Sequence, residues 1–268
     1  MIKFKPQRVN GEDGRTPIMF DRDIDEFAHK MLKDYRPELL IEPGIIDYEH
    51  FLERYLGASV QYHDIYNDDP ERPILALTAF TDGEIDVFDE ENECVSTVYV
   101  PARTVVLDNS IAESGIVGVD LFSGLHEGGH LVYHWHVFLD EDGIPYNRTS
   151  DTASVIVCRR ESIESFGHGK ERTAAVWREH QADYFAAAIA MPNSSFKPFV
   201  NNLLHENRFY KGSIQIGLDQ DLDILADDLL PEYISETYGV SKRAARIKLR
   251  KAGFVRGGNS SGKAWLTK

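Results

Sequence analysis

Residues Leu125-His126-Glu127-Gly128-Gly129-His130 set two imidazoles four positions apart, with a carboxylate beside the first and two adjacent glycines before the second. Residues four apart on a helix project from one face, so His126 and His130 can hold one metal ion together. Glu127 stands one position on, which turns its carboxylate toward the ion's open position as a general base rather than into the ligand set. Two glycines inside a helix cost roughly 1 kcal/mol each relative to alanine. That cost points to another backbone passing close to Gly128 and Gly129, and the strand that aligns a peptide substrate is the expected neighbour.

An H-E-x-x-H pentapeptide also arises by chance, so it needs a third ligand to carry weight. The segment Trp177-Arg178-Glu179-His180-Gln181-Ala182-Asp183-Tyr184-Phe185-Ala186-Ala187 supplies one. Glu179 and Asp183 are again four apart, so one carboxylate can bind metal while the other accepts the distal N–H of a ligand histidine. No thiolate site competes, because Cys94 and Cys158 lie far apart with no CxxC. Such a centre also needs a group to stabilise the oxyanion, for which Tyr133 and His134 lead, with His136, Tyr146, His168 and His180 behind them.

The surrounding elements follow from periodicity. Ile24, Phe27, Ala28, Met31 and Leu32 mark a first helix capped by Asp21 and closed before Pro37, and a second runs from Asp47 to Gly57. Extended segments follow at 58–65, 74–80, 84–88, 95–100 and 104–107, and Asp82-Gly83 between β-prone runs predicts a hairpin joining the second and third of these. A helix over 120–136 carries the histidines, a polar loop covers 140–152, a short strand is expected at 153–158, and an alanine-rich helix covers 171–191. A further short helix is expected at 194–205, and then a boundary near 212–219. The predicted fold is α+β: N-terminal helices, a small mostly antiparallel sheet and two metal-bearing helices over 1–215, with a helical module over 216–268.

Composition narrows the function classes. The chain has 268 residues and a net charge of −15, which argues against nonspecific nucleic-acid binding by the protein as a whole. No apolar run suits a membrane span and the N-terminus has no signal-like apolar stretch, so a cytoplasmic protein is expected. Charge is uneven, however. From Ser241 onward there are Lys242, Arg243, Arg246, Lys248, Arg250, Lys251, Arg256, Lys263 and Lys268 and no acid. Residues 234–247 have the outline of a helix-turn-helix, with Gly239 in the turn and Ser241 as N-cap. The basic residues surround the helix instead of forming one stripe, and base-reading Asn or Gln are absent, so a docking or structural role is expected over direct DNA binding.

Taken together, the H-E-x-x-H helix, the second helix reading E-x-x-A-D-x-F-A-A, the Met191-Pro192 that stops it and the order of elements resemble the ImmA/IrrE family of zinc metallopeptidases over roughly residues 20 to 255. The resemblance implies Zn2+ held by His126, His130 and Glu179, Glu127 as general base, and Asp183 behind a ligand histidine. It further implies a regulatory endopeptidase that cleaves a helix-turn-helix repressor in a stress or mobile-element circuit. Two other classes stay open: a DNA-binding regulator with a structural zinc site, and a protein that binds a repressor without cutting it.

Overall fold

The computed structural model describes residues 2–9, 12–69, 71, 73–140, 142–146, 154–159 and 173–257. Helix α1 (Asp21–Tyr35) buries Ile24, Ala28, Met31 and Leu32 along the stripe its sequence predicts. Its cap differs from expectation: Asp21 is the first helical residue, and Asp23 reaches back to accept from the backbone N–H of Phe20 at 2.9 Å. Asp47 does cap α2 (Tyr48–His50), which continues as a π-helical turn (Phe51–Leu56) and ends at left-handed Gly57.

The sheet has the order β1 (Ser59–His63), β5 (Thr104–Asp108), β2 (Ile74–Ala79), β6 (Val155–Arg159); β1 and β5 are parallel and the other pairs antiparallel. The expected hairpin between 74–80 and 84–88 is not formed. Strand β3 (Gly83–Asp89) pairs instead with β4 (Cys94–Val100), while β2 lies between β5 and β6. Gly83 does not take the positive φ that a two-residue hairpin turn demands, and Asp82 Oδ1 accepts from the N–H of Ala102, tying the turn to the connection before β5. A separate small core, with Leu77, Ala79 and Val106 facing Ile85 and Val87, joins the hairpin to the sheet. Alternation along β2 therefore turns Thr78 to the opposite face, toward the helices.

After α3 (Asn109–Glu113), helix α4 (Val119–Tyr133) packs on β2 and β5 and against α6 (Ala174–Ala190), with short α5 (Trp135–Phe138) following it. Gly118 begins α4 at φ 76°, and a Cβ there would lie 2.5 Å from the carbonyl oxygen of Gly239. The start of the histidine helix is thereby seated on the C-terminal turn.

That C-terminal part comprises α7 (Asn193–Glu206), β7 (Ile214–Gln215), α8 (Gln220–Ile224) running through a π-helical turn (Leu225–Leu229) into α9 (Leu230–Tyr238), then α10 (Lys242–Lys251) and β8 (Val255–Arg256). β7 pairs in parallel with β8 across the expected boundary at 215/216, and one apolar core runs unbroken from Ile24 through Phe185 to Leu249 and Val255. Among the described residues no helix is long and apolar enough to cross a membrane.

Candidate metal centre

Helix α4 is buried on nearly all sides from Leu121 to Tyr133, between the sheet and α6, as expected of a core helix. The two glycines have distinct reasons. A Cβ on Gly129 would lie 2.9 Å from Cα of Ala182, so its missing side chain lets α4 and α6 pass almost in contact; Gly128 faces Leu52 and Leu56. The backbone that approaches is that of α6, not a substrate strand. Phe185, fully buried beside the same crossing, contributes on the order of 1.5–3 kcal/mol of apolar burial to holding it.

That close crossing brings His126, His130 and Glu179 into one cluster whose ligand atoms all lie within 4.8 Å of one another. The two Nε2 atoms are 3.0 Å apart, Glu179 Oε2 lies 3.4 Å from Nε2 of His126, and Glu179 Oε1 lies 3.5 Å from Nε2 of His130. A tetrahedral ion with ligands at about 2.0–2.1 Å separates its ligand atoms by about 3.3 Å, so the spacing of the imidazoles from each other and from the carboxylate is of the size such an ion requires. Asp183 Oδ1 accepts from Nδ1 of His126 at 2.8 Å, which leaves the Nε2 lone pair directed into the cluster. His126 and His130 have no exposure at all, whereas 24% of the Glu179 side chain is exposed, so the cluster opens on the Glu179 side. Burial holds His130 well below the ordinary histidine range and therefore neutral, as a metal ligand must be. The His-His-Glu cluster is positioned to chelate a divalent metal.

Glu127 is also fully buried. Its Oε2 and its own carbonyl oxygen accept from Thr78 Oγ1, fastening α4 to β2, while Oε1 has no partner. Burial pushes its carboxyl up to about 7, against the opposing pull of the neighbouring His126 and the Thr78 hydrogen bond. A carboxyl titrating there can both take and give a proton near neutral pH.

The expected oxyanion groups are placed elsewhere. Tyr133 is fully buried in an aromatic cluster with Phe4, Phe27 and Phe185, and His134 lies behind His130, Nδ1 to Nδ1 at 2.9 Å. Both are fully buried, Tyr133 held by the surrounding aromatic rings and His134 by its contacts with His130 and Gln181. His136 Nε2 donates to the carbonyl of Arg15, the Arg15 guanidinium covers the Tyr146 ring, and His180 Nε2 meets Asp21 at 2.8 Å. His168 lies outside the described residues. Three participants were not found by sequence reasoning. Thr78 had a signal, the lone hydroxyl in the apolar run Ile74-Leu75-Ala76-Leu77-Thr78-Ala79-Phe80. Gln181, whose Oε1 lies 3.0 Å from Nε2 of His134, and the carbonyl of Pro17, which accepts from Gln181 Nε2 at 2.6 Å, had none.

Comparison of the chain with family models, with curated proteins and with solved structures finds no match.

Proposed function

We propose that this chain is a zinc-dependent endopeptidase of the zincin type, a regulatory protease whose target is a helix-turn-helix transcriptional repressor. The observation that carries the reading is the donor set: three candidate protein ligands, His126, His130 and Glu179, with a second glutamate, Glu127, adjacent to His126 and not among the three. Closed structural zinc sites use four protein ligands, whereas catalytic sites use three. Asp183 is not the missing fourth, because it is engaged with the far nitrogen of His126.

When bound, zinc supplies a Lewis acid that acidifies water and polarises a scissile carbonyl. Asp183 orients the His126 ring and raises its basicity. Thr78 holds one oxygen of Glu127, and the unpartnered Oε1 takes a proton from the attacking water and returns it to the leaving amine. Hydrolysis then balances: the water's oxygen forms the new C–O bond as the C–N bond breaks, the proton carried by Glu127 ends on the amine, and the other stays with the new acid.

The target class rests on the motif resemblance, and the net charge of −15 favours a basic partner. In the same reading the C-terminal helices dock within the body and do not read DNA. The experiment measures bound zinc and cleavage of a helix-turn-helix repressor by wild type, Glu179→Ala and Glu127→Gln. Wild type is expected to hold about one zinc and cut, Glu179→Ala to lose the metal, and Glu127→Gln to keep it while cutting about 10²- to 10⁴-fold more slowly. Zinc binding with an intact repressor would leave a metal-holding binder; wild type without zinc would remove the peptidase.

A further inference from the structure

Behind His130 lies a chain of hydrogen bonds that the proposed chemistry does not use. It is anchored at the carbonyl of Pro17, which can only accept. Gln181 Nε2 lies 2.6 Å from that oxygen, so the amide is oriented with its NH2 toward Pro17 and its Oε1 toward His134. Oε1 also only accepts, so Nε2 of His134, 3.0 Å away, carries the proton. The His134 ring packs between the Gln181 amide and the His130 ring, so with its proton on Nε2 its Nδ1 is bare, and that atom lies 2.9 Å from Nδ1 of His130. His130 Nδ1 must therefore be the donor, and the lone pair of His130 falls on Nε2, facing Nε2 of His126 and Glu179. The chain is consistent from end to end, and it leaves the bare Nε2 of His130 3.0 Å from the bare Nε2 of His126, two acceptors that a cation between them would reconcile. His130, His134 and Gln181 are all fully buried, so no solvent contact competes with the chain.

The two ligand histidines are thus oriented by different means: His126 by the carboxylate of Asp183, His130 by a neutral chain ending on backbone. The backbone in question is itself fastened. The N–H of Ala174 donates to Glu12 at 2.6 Å, and Arg178 donates to Asp13 at 2.9 Å and to Thr16 at 2.8 Å. The N-terminal strap 12–17 lies against the start of α6, one turn before Gln181.

We infer that His134 and Gln181, anchored on Pro17, are positioning residues that fix His130 in the Nδ1–H tautomer and so keep its Nε2 available to a divalent cation. This makes the N-terminal strap part of the framework of the metal centre, and it rests on the reading of His126, His130 and Glu179 as ligands.

Two measurements test it. In metal-free protein with 15N-labelled histidine, long-range 1H–15N spectra are expected to place the proton of His130 on Nδ1 and that of His134 on Nε2. Zinc affinity is then read by competition with a chelator. Gln181→Leu removes the acceptor and is expected to weaken zinc binding about 10- to 100-fold, the usual effect of losing a partner behind a ligand. Gln181→Glu, with its buried carboxyl protonated toward the Pro17 carbonyl, keeps an acceptor for His134 and is expected to stay within about threefold of wild type. Should Gln181→Leu fail to fold by thermal unfolding of the metal-free protein, the spectra of wild type and Gln181→Glu decide. A proton on Nε2 of His130, or equal zinc affinity in wild type and Gln181→Leu, overturns the positioning role; wild type that binds no zinc overturns the metal centre itself.

Discussion

The cluster between α4 and α6 and the basic helix α10 both gather ionisable side chains, but they resolve their polarity in opposite ways. At the cluster, two imidazole lone pairs converge on Glu179, and Glu127 Oε1, Glu179 Oε2 and Asp183 Oδ2 have no hydrogen-bond partner. Three buried acceptor oxygens collect there without donors. On α10 the charges are answered from within the chain. Lys242 meets Glu232 at 3.0 Å, Arg246 donates to the carbonyl of Asp227 and meets Asp228, Arg250 reaches Asp227 and the carbonyl of Gly257, and Lys251 covers the Tyr184 ring within 3.7 Å of Asp21. Buried polarity left unmatched costs free energy unless something outside the chain completes it. Matched polarity serves the fold. The cluster is thus positioned to take a cation, whereas α10, which looks equally ready for a ligand by sequence alone, is satisfied within the chain.

The comparison breaks most severely if the two helices are pushed apart. Gly129→Ala places a methyl 2.9 Å from the α6 backbone, where no side chain can give way. It is expected to cost about 1–3 kcal/mol in denaturant unfolding and to abolish stoichiometric zinc binding. Full zinc content in this variant would mean that the cluster tolerates a wider crossing than its ligand spacing implies.

Next in size is the pH dependence of Glu127. Its folded carboxyl titrates at about 7 against an ordinary value of 4.5, so the folded state disfavours the charge. Below 4.5 both states are protonated and there is no penalty; it grows as the pH rises and is complete above 7. Metal-free Glu127→Gln is therefore expected to match wild type near pH 4 and to exceed it by about 3 kcal/mol at pH 8, read from unfolding curves at each pH. A constant difference would show that Glu127 is not held uncharged.

Lys248 tests the other side, because it is the exception on α10: it is buried, and desolvation lowers its ammonium to about 8, with Asp25 offering partial compensation. Below about 8 the lysine is charged in both states and the full penalty stands; it fades as the pH climbs toward the ordinary value of 10.5. Lys248→Met is expected to stabilise the protein on the order of 2 kcal/mol at pH 7, by a margin that narrows at pH 9 to 10, with zinc content unchanged. Altered zinc content would tie the two regions together more closely than the seat of Gly118 on Gly239 suggests.

The smallest effect concerns the half-exposed pairs. Arg250→Ala is expected to lower stability by roughly 1 kcal/mol or less, and the intact chain is expected not to shift a DNA duplex in a gel at about 0.15 M salt. A shift that disappears in Arg250→Ala would transfer α10 from the matched to the unmatched class.

Local chemistry made much of this legible. The spacing of His126 and His130, of Glu179 and Asp183, and of the apolar residues in α1 and α4 follows from helical period alone, since residues three or four apart share a face whatever surrounds them. Turn residues placed the ends of α2 and α9 for the same reason, through the left-handed conformations of Gly57 and Gly239. Where a reading depended on which segments meet, it was open to error. Asp82-Gly83 has the composition of a hairpin turn, but pairing with β5 and β6 claimed β2 and sent β3 to β4. Tyr133 and His134 follow His130 closely enough to suggest the cleft, and three-dimensional packing turned both away from it.

What the amino-acid order determined by itself, then, is the inventory of the centre: two imidazoles and two carboxylates in pairs one helical turn apart, on two separate helices. Only the tertiary structure decided that these pairs face each other, because that depends on Gly129 meeting Ala182 across 53 residues of chain, a contact no local period encodes. The tertiary structure also brought Thr78 to Glu127 and Pro17 to Gln181, and it answered the charges of α10 with distant acids. A side chain's type is local, but whether its polarity is matched is settled by neighbours far along the chain.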